Sequence, residues 1–234
     1  MNRKNLIFPV LAAFGATLAS SPASLLLYEG FDYGVADATS INGVASNATG
    51  TQGAWAVNNT IPSGGGASST YRTSGLTFGS SFQTSAGALR LSATYSGQNA
   101  ASAATVQLNT TATGTVWSSY LGSFTTISLV NGGSLLAGIG SSALPVDSNS
   151  MNFKSGLISN AAATDRKLAN GYDPGVSTVN FNLATGTTYL FISKYTNVGT
   201  ALSAGTTGVG TTWALTQAQY ETWLAGGASA RSVR

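Results

Sequence analysis

The chain of 234 residues contains no cysteine and no histidine. Without thiols there is no disulfide framework, no thiolate metal site and no cysteine nucleophile, although export is not argued against. Without imidazole, the Ser-His-Asp triad, the commonest general base and most zinc or iron sites are lost together. Charge is scarce as well: Lys, Arg, Asp and Glu make up 7% of the chain, against about a quarter of an average soluble domain. The surface must therefore be solvated by hydroxyls and amides in place of ions. Ten basic and seven acidic side chains give a formal charge of +3. Arg3 and Lys4 lie in a leader described below, so the remaining chain carries eight basic residues against seven acidic ones, or +1. The basic residues are scattered, with Arg166-Lys167 the densest pair. They leave no footprint for a phosphate backbone or an anionic lipid surface, and no nucleic-acid partner is expected. No repeat of fixed period runs through the sequence, which counts against a solenoid.

What is present begins with an export signal. Arg3 and Lys4 precede a mostly apolar run over 6–18, and Ser21-Pro22-Ala23 places small residues at the two positions a signal peptidase reads. The run is too short to span about 30 Å of hydrocarbon and is interrupted by Pro9 and Gly15. Residues 1–23 read as a secretory signal peptide and 24–234 as the mature domain. That domain is expected to be secreted, outside the cell or at its surface, with no membrane insertion once the signal is removed. About 210 residues suit one all-β domain and bury roughly 70% of the surface the unfolded chain exposes.

Short apolar runs separated by turn residues follow. LLLYEGFDY over 25–33, closed by Gly30 and Gly34, reads as the first strand. Residues 35–51 carry few apolar anchors and read as a loop leading to Gly53-Ala54-Trp55, with Trp55 expected in the core. Pro62 and Gly64-Gly65-Gly66 mark 61–70 as a flexible loop. Alternation at Leu76 and Phe78, at Leu89 and Leu91, and at Val106 and Leu108 predicts half-buried strands. TVWSSYLGSF over 115–124 has near-helical apolar spacing, but Thr, Val, Trp and Tyr favour a pleated surface and Gly114 and Gly122 penalise a helix. It reads as a strand. Residues 135–139 and 151–158 are further strands, while 165–174, with Gly171 and Asp173-Pro174, reads as a loop. Val179, Phe181 and Leu183 alternate with polar residues, Ala184-Thr185-Gly186 turns the chain, and YLFISKY over 189–195 returns it, which predicts an antiparallel hairpin. After a short strand over 211–215 the period changes. Thr216 and Gln219 form a capping box for a helix over 217–224, with a Leu215–Tyr220 staple and a left-handed stop at Gly226-Gly227. The sum is an all-β sandwich with one short helix near the C-terminus.

Four stretches carry a resemblance: LYEGFDY over 27–33, Gly53-Ala54-Trp55, GTVWSSYL over 114–121, and TWALTQAQYETWLAGG over 212–227. With them the chain resembles the concanavalin A-like lectin/glucanase (LamG-like) domains of secreted bacterial proteins that carry a PEP-CTERM sorting signal. The likeness spans nearly the whole mature chain. It implies an antiparallel jelly-roll β-sandwich. Such domains close with a further strand or two beside the first strand, and their proteins end in a Pro-Glu-Pro signal, an apolar helix and basic residues. Those parts are not in this sequence, so the domain is expected to be C-terminally truncated.

Retaining glucanases of that architecture need two carboxyl groups about 5 Å apart. Glu29 and Asp32 are three positions apart and would face opposite sides of a regular strand, and Glu221 is the only other glutamate. Ser193-Lys194 are adjacent strand residues facing opposite ways, which disfavours a serine nucleophile with a lysine base. No cofactor is expected. A structural calcium ion has one candidate place, Asp173 with nearby carbonyls, where the competing reading is a turn-forming Asp before Pro174. Trp55, Trp117, Trp213 and Trp223 are read as core, since large aromatics on alternating strands usually are. Tyr172, in the polar run Asn170-Gly171-Tyr172-Asp173, is the preferred surface aromatic. Asn170, Tyr172 and Asp173 together are thus the candidate carbohydrate site. The function expected is a non-catalytic surface or extracellular-matrix component that binds a polysaccharide or cell-surface glycan. A glucanase-type glycoside hydrolase and a β-helical adhesin passenger are the alternatives.

Overall fold

In the computed structural model the described residues are 27–60, 66–79, 86–94, 101–110, 112–125, 133–140, 151–159, 166–170, 178–179, 183–198 and 210–226. Residues 1–23, read above as an export signal, lie outside them, as do Tyr172 and Asp173. The described strands are β1 (Thr51–Thr60), β2 (Gly66–Arg72), β3 (Ala88–Thr94), β4 (Ala101–Leu108), β5 (Gly114–Ser123), β6 (Gly133–Gly140), β7 (Met151–Ser159), β8 (Arg166–Asn170), β9 (Thr178–Val179), β10 (Thr188–Val198) and β11 (Gly210–Thr216). One helix, α1, follows at Gln217–Ala225. Every strand pairing is antiparallel, in sheets ordered β1-β4, β2-β3, β11-β10-β5 and β6-β7-β8-β9. The described residues are all-β with a single short helix near the C-terminus.

The first half closes around Ile41, Trp55 and Tyr71, against which Phe31, Tyr33, Val57, Leu89 and Val106 pack. Trp55 occupies the core, as its setting in the sequence predicts. The register of β1 on β4 shifts between Gln52 and Ala56, where Gly53 adopts φ +77°, a bulge conformation that glycine takes without a Cβ penalty. The strand expected over 25–33 does not form among the described residues. Tyr28 bridges Thr49 in isolation, and left-handed backbone at Phe31 (φ +47°) and Gly34 (φ +64°) turns the chain out of a pleat. Phe31 is held there by its ring, stacked on Trp55 at 6.0 Å between centroids, and by its amide, which donates to Glu29 Oε1 at 2.5 Å. Residues 66–70, expected in a loop, belong instead to β2, because β3 offers them an unbroken ladder from Gly66↔Thr94 to Arg72↔Ala88. Leu76 and Phe78 lie outside any strand, and Phe78 is buried against the Tyr220 ring at 5.6 Å.

In the second half β10 is the centre of a three-stranded sheet, paired to β5 on one edge and β11 on the other. The expected hairpin is therefore replaced. The turn at Thr185-Gly186 forms, with Gly186 at φ +75° and its amide donating to Phe124 O at 2.8 Å. Both edges of β10 are already filled, however, so Thr178 and Val179 pair with β8 and Leu183 is buried with Tyr189, Phe191 and Ala214. Residues 166–170, expected in a loop, are strand β8, since β7 supplies its ladder from Ser155↔Asn170 to Ser159↔Arg166. Sheet β6-β7-β8-β9 approaches the β11 side of the three-stranded sheet through β7 and β8.

The helix is capped as its sequence predicts. Gln219 N donates to Thr216 Oγ1 at 3.3 Å and Thr216 N donates to Gln219 Oε1 at 2.8 Å, a reciprocal capping box. At its end Gly226 stays right-handed at φ −69°, with its amide bonded to Thr222 O at 3.0 Å, and Gly227 lies outside the described residues.

Candidate aromatic groove on the outer sheet face

The registers of β5, β10 and β11 sort the side chains of this sheet into two faces. Pairs Val116↔Tyr195, Ser118↔Ser193↔Thr212 and Tyr120↔Phe191↔Ala214 share one face. That face is the inner one, for Val116, Tyr195, Ser193, Thr212, Phe191 and Ala214 are all buried. Pairs Trp117↔Lys194↔Thr211, Ser119↔Ile192↔Trp213 and Leu121↔Leu190↔Leu215 share the other.

Helix α1 covers this second face only at one end. There Leu190 is 2% exposed, beneath a helix that carries Tyr220 and Trp223, stacked on each other at 6.0 Å. At the open end Trp117 is 59% exposed. Between them lies an open groove of about 300 Å³ lined by Trp117, Ser119, Ile192, Leu190, Tyr220 and Trp223, at the lower bound of small-ligand pockets. Trp117 and Trp213 reach across β10 to stack at 5.9 Å, 15° from parallel. The ammonium of Lys194 lies 5.4 Å from the Trp117 ring centroid, a cation–π contact within the usual reach. No carboxylate lines the groove.

Trp117 thus corrects the expectation that it is core. Both side-chain sets of 114–123 contain large apolar residues, so the sequence pattern does not tell the inner face from the outer. Trp213 and Trp223 are half-buried, Trp223 in the groove's lining and Trp213 stacked on Trp117. Of the carbohydrate site expected at Asn170, Tyr172 and Asp173, Asn170 closes β8 opposite Ser155, and the other two lie outside the described residues. The signal that could have found the groove is Trp117 and Ser119 at the same parity of one strand with an apolar-plus-lysine strand, ILe192 to Lys194, to match.

Glu29 and Asp37 are engaged by neighbouring groups of the fold. Glu29 accepts from the Phe31 amide at 2.5 Å and from the Tyr33 hydroxyl. The Tyr33 hydroxyl is held well above the usual tyrosine range, first by burial and then by its bond to Glu29. Asp37 pairs with Arg72 at 3.1 Å and accepts from the Thr73 amide at 3.0 Å. No group of three acidic, cysteine or histidine side chains able to hold a metal occurs among the described residues, and no helix there is long and apolar enough to cross a membrane.

Compared with known proteins, the chain matches no family model, no curated sequence and no solved structure.

Proposed function

We propose that the chain is an exported, non-catalytic β-sandwich of the jelly-roll, concanavalin A-like kind, and that it binds carbohydrate on the outer face of sheet β11-β10-β5. One observation carries the reading: Trp117 is 59% exposed yet held by a parallel stack with Trp213. A large indole left in water on a built sheet face, beside a concave floor, is a binding feature more than a packing one. The apolar C–H face of a pyranose ring fits a flat indole, and a stack fixed from behind loses little freedom when the sugar arrives. The hydroxyls of Ser119 and Thr211, both exposed on this face, are placed to meet sugar hydroxyls. The leader over 1–23 and the low charge fit a role among polysaccharides outside the cell.

The test is binding of the purified chain to an array of polysaccharides, with tryptophan fluorescence and release of reducing sugar followed together. Saturable binding with a fluorescence change and no sugar release is expected. Sugar release would sink the non-catalytic reading, and binding that survives loss of both Trp117 and Trp213 would move the site elsewhere.

A further inference from the structure

We infer that the groove selects an acidic polysaccharide, one built with uronic acid units, whose rings stack on Trp117 while a ring carboxylate meets Lys194. The inference rests on the carbohydrate-binding reading above and names the class of sugar.

Lys194 is directly in register with Trp117 across the β5–β10 ladder, so its side chain rises from the same face as the platform. Its ammonium lies over the indole ring, 5.4 Å from the centroid. Trp117 keeps 59% of its surface exposed with that ammonium and Trp213 both in place. Lys194 forms no ion pair with a carboxylate among the described residues. Asp37 is engaged by Arg72, Glu29 by Tyr33 and the Phe31 amide, and Glu221 by Gln217 Nε2 at 2.8 Å. A lone cation beside an apolar wall is screened less than one on an open surface and favours an anion there.

The chain as a whole gives no general attraction for anions, since 7% charged residues and a mature balance near +1 supply no basic field. Selectivity must come from this one contact. The platform also sets the form of the ligand. It asks for a flat apolar ring face with the negative group at its edge, and a uronic acid carries its carboxylate directly on a ring carbon. A sulfate ester projects from a hydroxyl oxygen, away from the stacked face, and a phosphate offers no ring face at all.

The experiment compares polygalacturonate with its fully methyl-esterified form, the same backbone without charge, using the 234-residue chain. Dextran sulfate serves as an anion without ring carboxylates. The acid form is expected to bind about tenfold tighter than the ester, the effect of one partly screened charge pair. Lys194→Gln is expected to erase that preference, and added salt should narrow the gap in the original chain. Trp117→Ala is expected to weaken both forms. Equal binding of acid and ester overturns the inference and leaves the carbohydrate reading standing. Dextran sulfate binding as tightly as polygalacturonate overturns the uronic-acid class in favour of plain anion attraction. A preference that persists in Lys194→Gln removes Lys194 from the site, and failure of both polymers to bind counts against the inference and its premise together.

Discussion

Trp55 Nε1 donates to the phenolic oxygen of Tyr33 over 2.6 Å, tying strand β1 to the irregular segment before it. The same phenol donates to Glu29, whose other oxygen takes the Phe31 amide. Three polar groups that would each cost free energy unpaired in a half-buried site are thereby satisfied in series. This chain of bonds stands in for the ladder that residues 27–33 do not make.

Tyr33→Phe should therefore destabilise the fold by about 1 kcal/mol, since it strands the Trp55 donor and the Glu29 carboxylate in a site that is only partly buried. The variant should also change the alkaline limb of stability. The folded-state pKa of Tyr33 is raised above its ordinary value of 10.0, so the folded chain holds this proton more tightly than the unfolded chain does. The stability linked to it is fully present below about pH 10 and is lost as pH rises toward the raised folded value. Denaturant titrations between about pH 8 and 11 should show a steeper alkaline loss in the original chain than in Tyr33→Phe.

The inner face of the three-stranded sheet carries a second polar relationship. Ser193 and Thr212 are 0% and 1% exposed, and their hydroxyls share a bond of 2.9 Å across the β10–β11 ladder. Ser193→Ala alone leaves a buried Thr212 hydroxyl without this partner and should cost about 1–3 kcal/mol. Ser193→Ala combined with Thr212→Val removes both ends at nearly constant shape. The double variant should be more stable than the sum of the single losses, and a double-mutant cycle by thermal or chemical unfolding reads that coupling directly.

Two tryptophans of the same sequence class should give opposite results. Trp55 is 8% exposed within the first core, so Trp55→Ala should cost about 3–5 kcal/mol. Trp117 is 59% exposed, so Trp117→Ala should cost about 1 kcal/mol or less, the worth of an aromatic pair, while weakening polysaccharide binding. Melting temperature and affinity measured side by side separate the two roles. A Trp117→Ala chain that unfolds as readily as Trp55→Ala would show Trp117 to be a packing residue.

The contrast marks how far the sequence can be read. Strand β5, strands β6 and β7, the capping box and the burial of Trp55 follow from local chemistry, because each depends on a few neighbouring residues. The errors fall where a partner distant in sequence decides. Val179 joins β8 and not β10 because β5 and β11 occupy both edges of β10, and β8 is a strand because β7 lies beside it. Backbone at Phe31 leaves the pleat in a way its residue type disfavours, fixed by a ring stack with Trp55, 24 positions on. The groove was hidden for the same reason. In β5 both Val116, Tyr120 and Trp117, Leu121 look apolar, and core packing with residues distant in sequence, Phe191 and Tyr195 among them, decides which set is left open to water.

The helix that bounds the groove depends on its cap. Helix α1 is nine residues long and none of its residues is fully buried, so its own propensity cannot hold it. Thr216 and Gln219 satisfy two of its free groups reciprocally, and the Tyr220 ring meets that of Phe78. Thr216→Ala should destabilise the helix by about 1 kcal/mol. Because Tyr220 and Trp223 form the groove's wall, the same change should weaken polysaccharide binding about two- to fivefold while the Trp117–Trp213 platform remains intact, as a partly frayed wall lowers the fraction of binding-competent molecules. Thr216→Ser keeps the capping oxygen and should restore both helix and affinity. If Thr216→Ala frays the helix, seen as lost helical circular dichroism, and affinity does not move, then the sheet face alone is the binding surface and α1 serves only to bury Leu190.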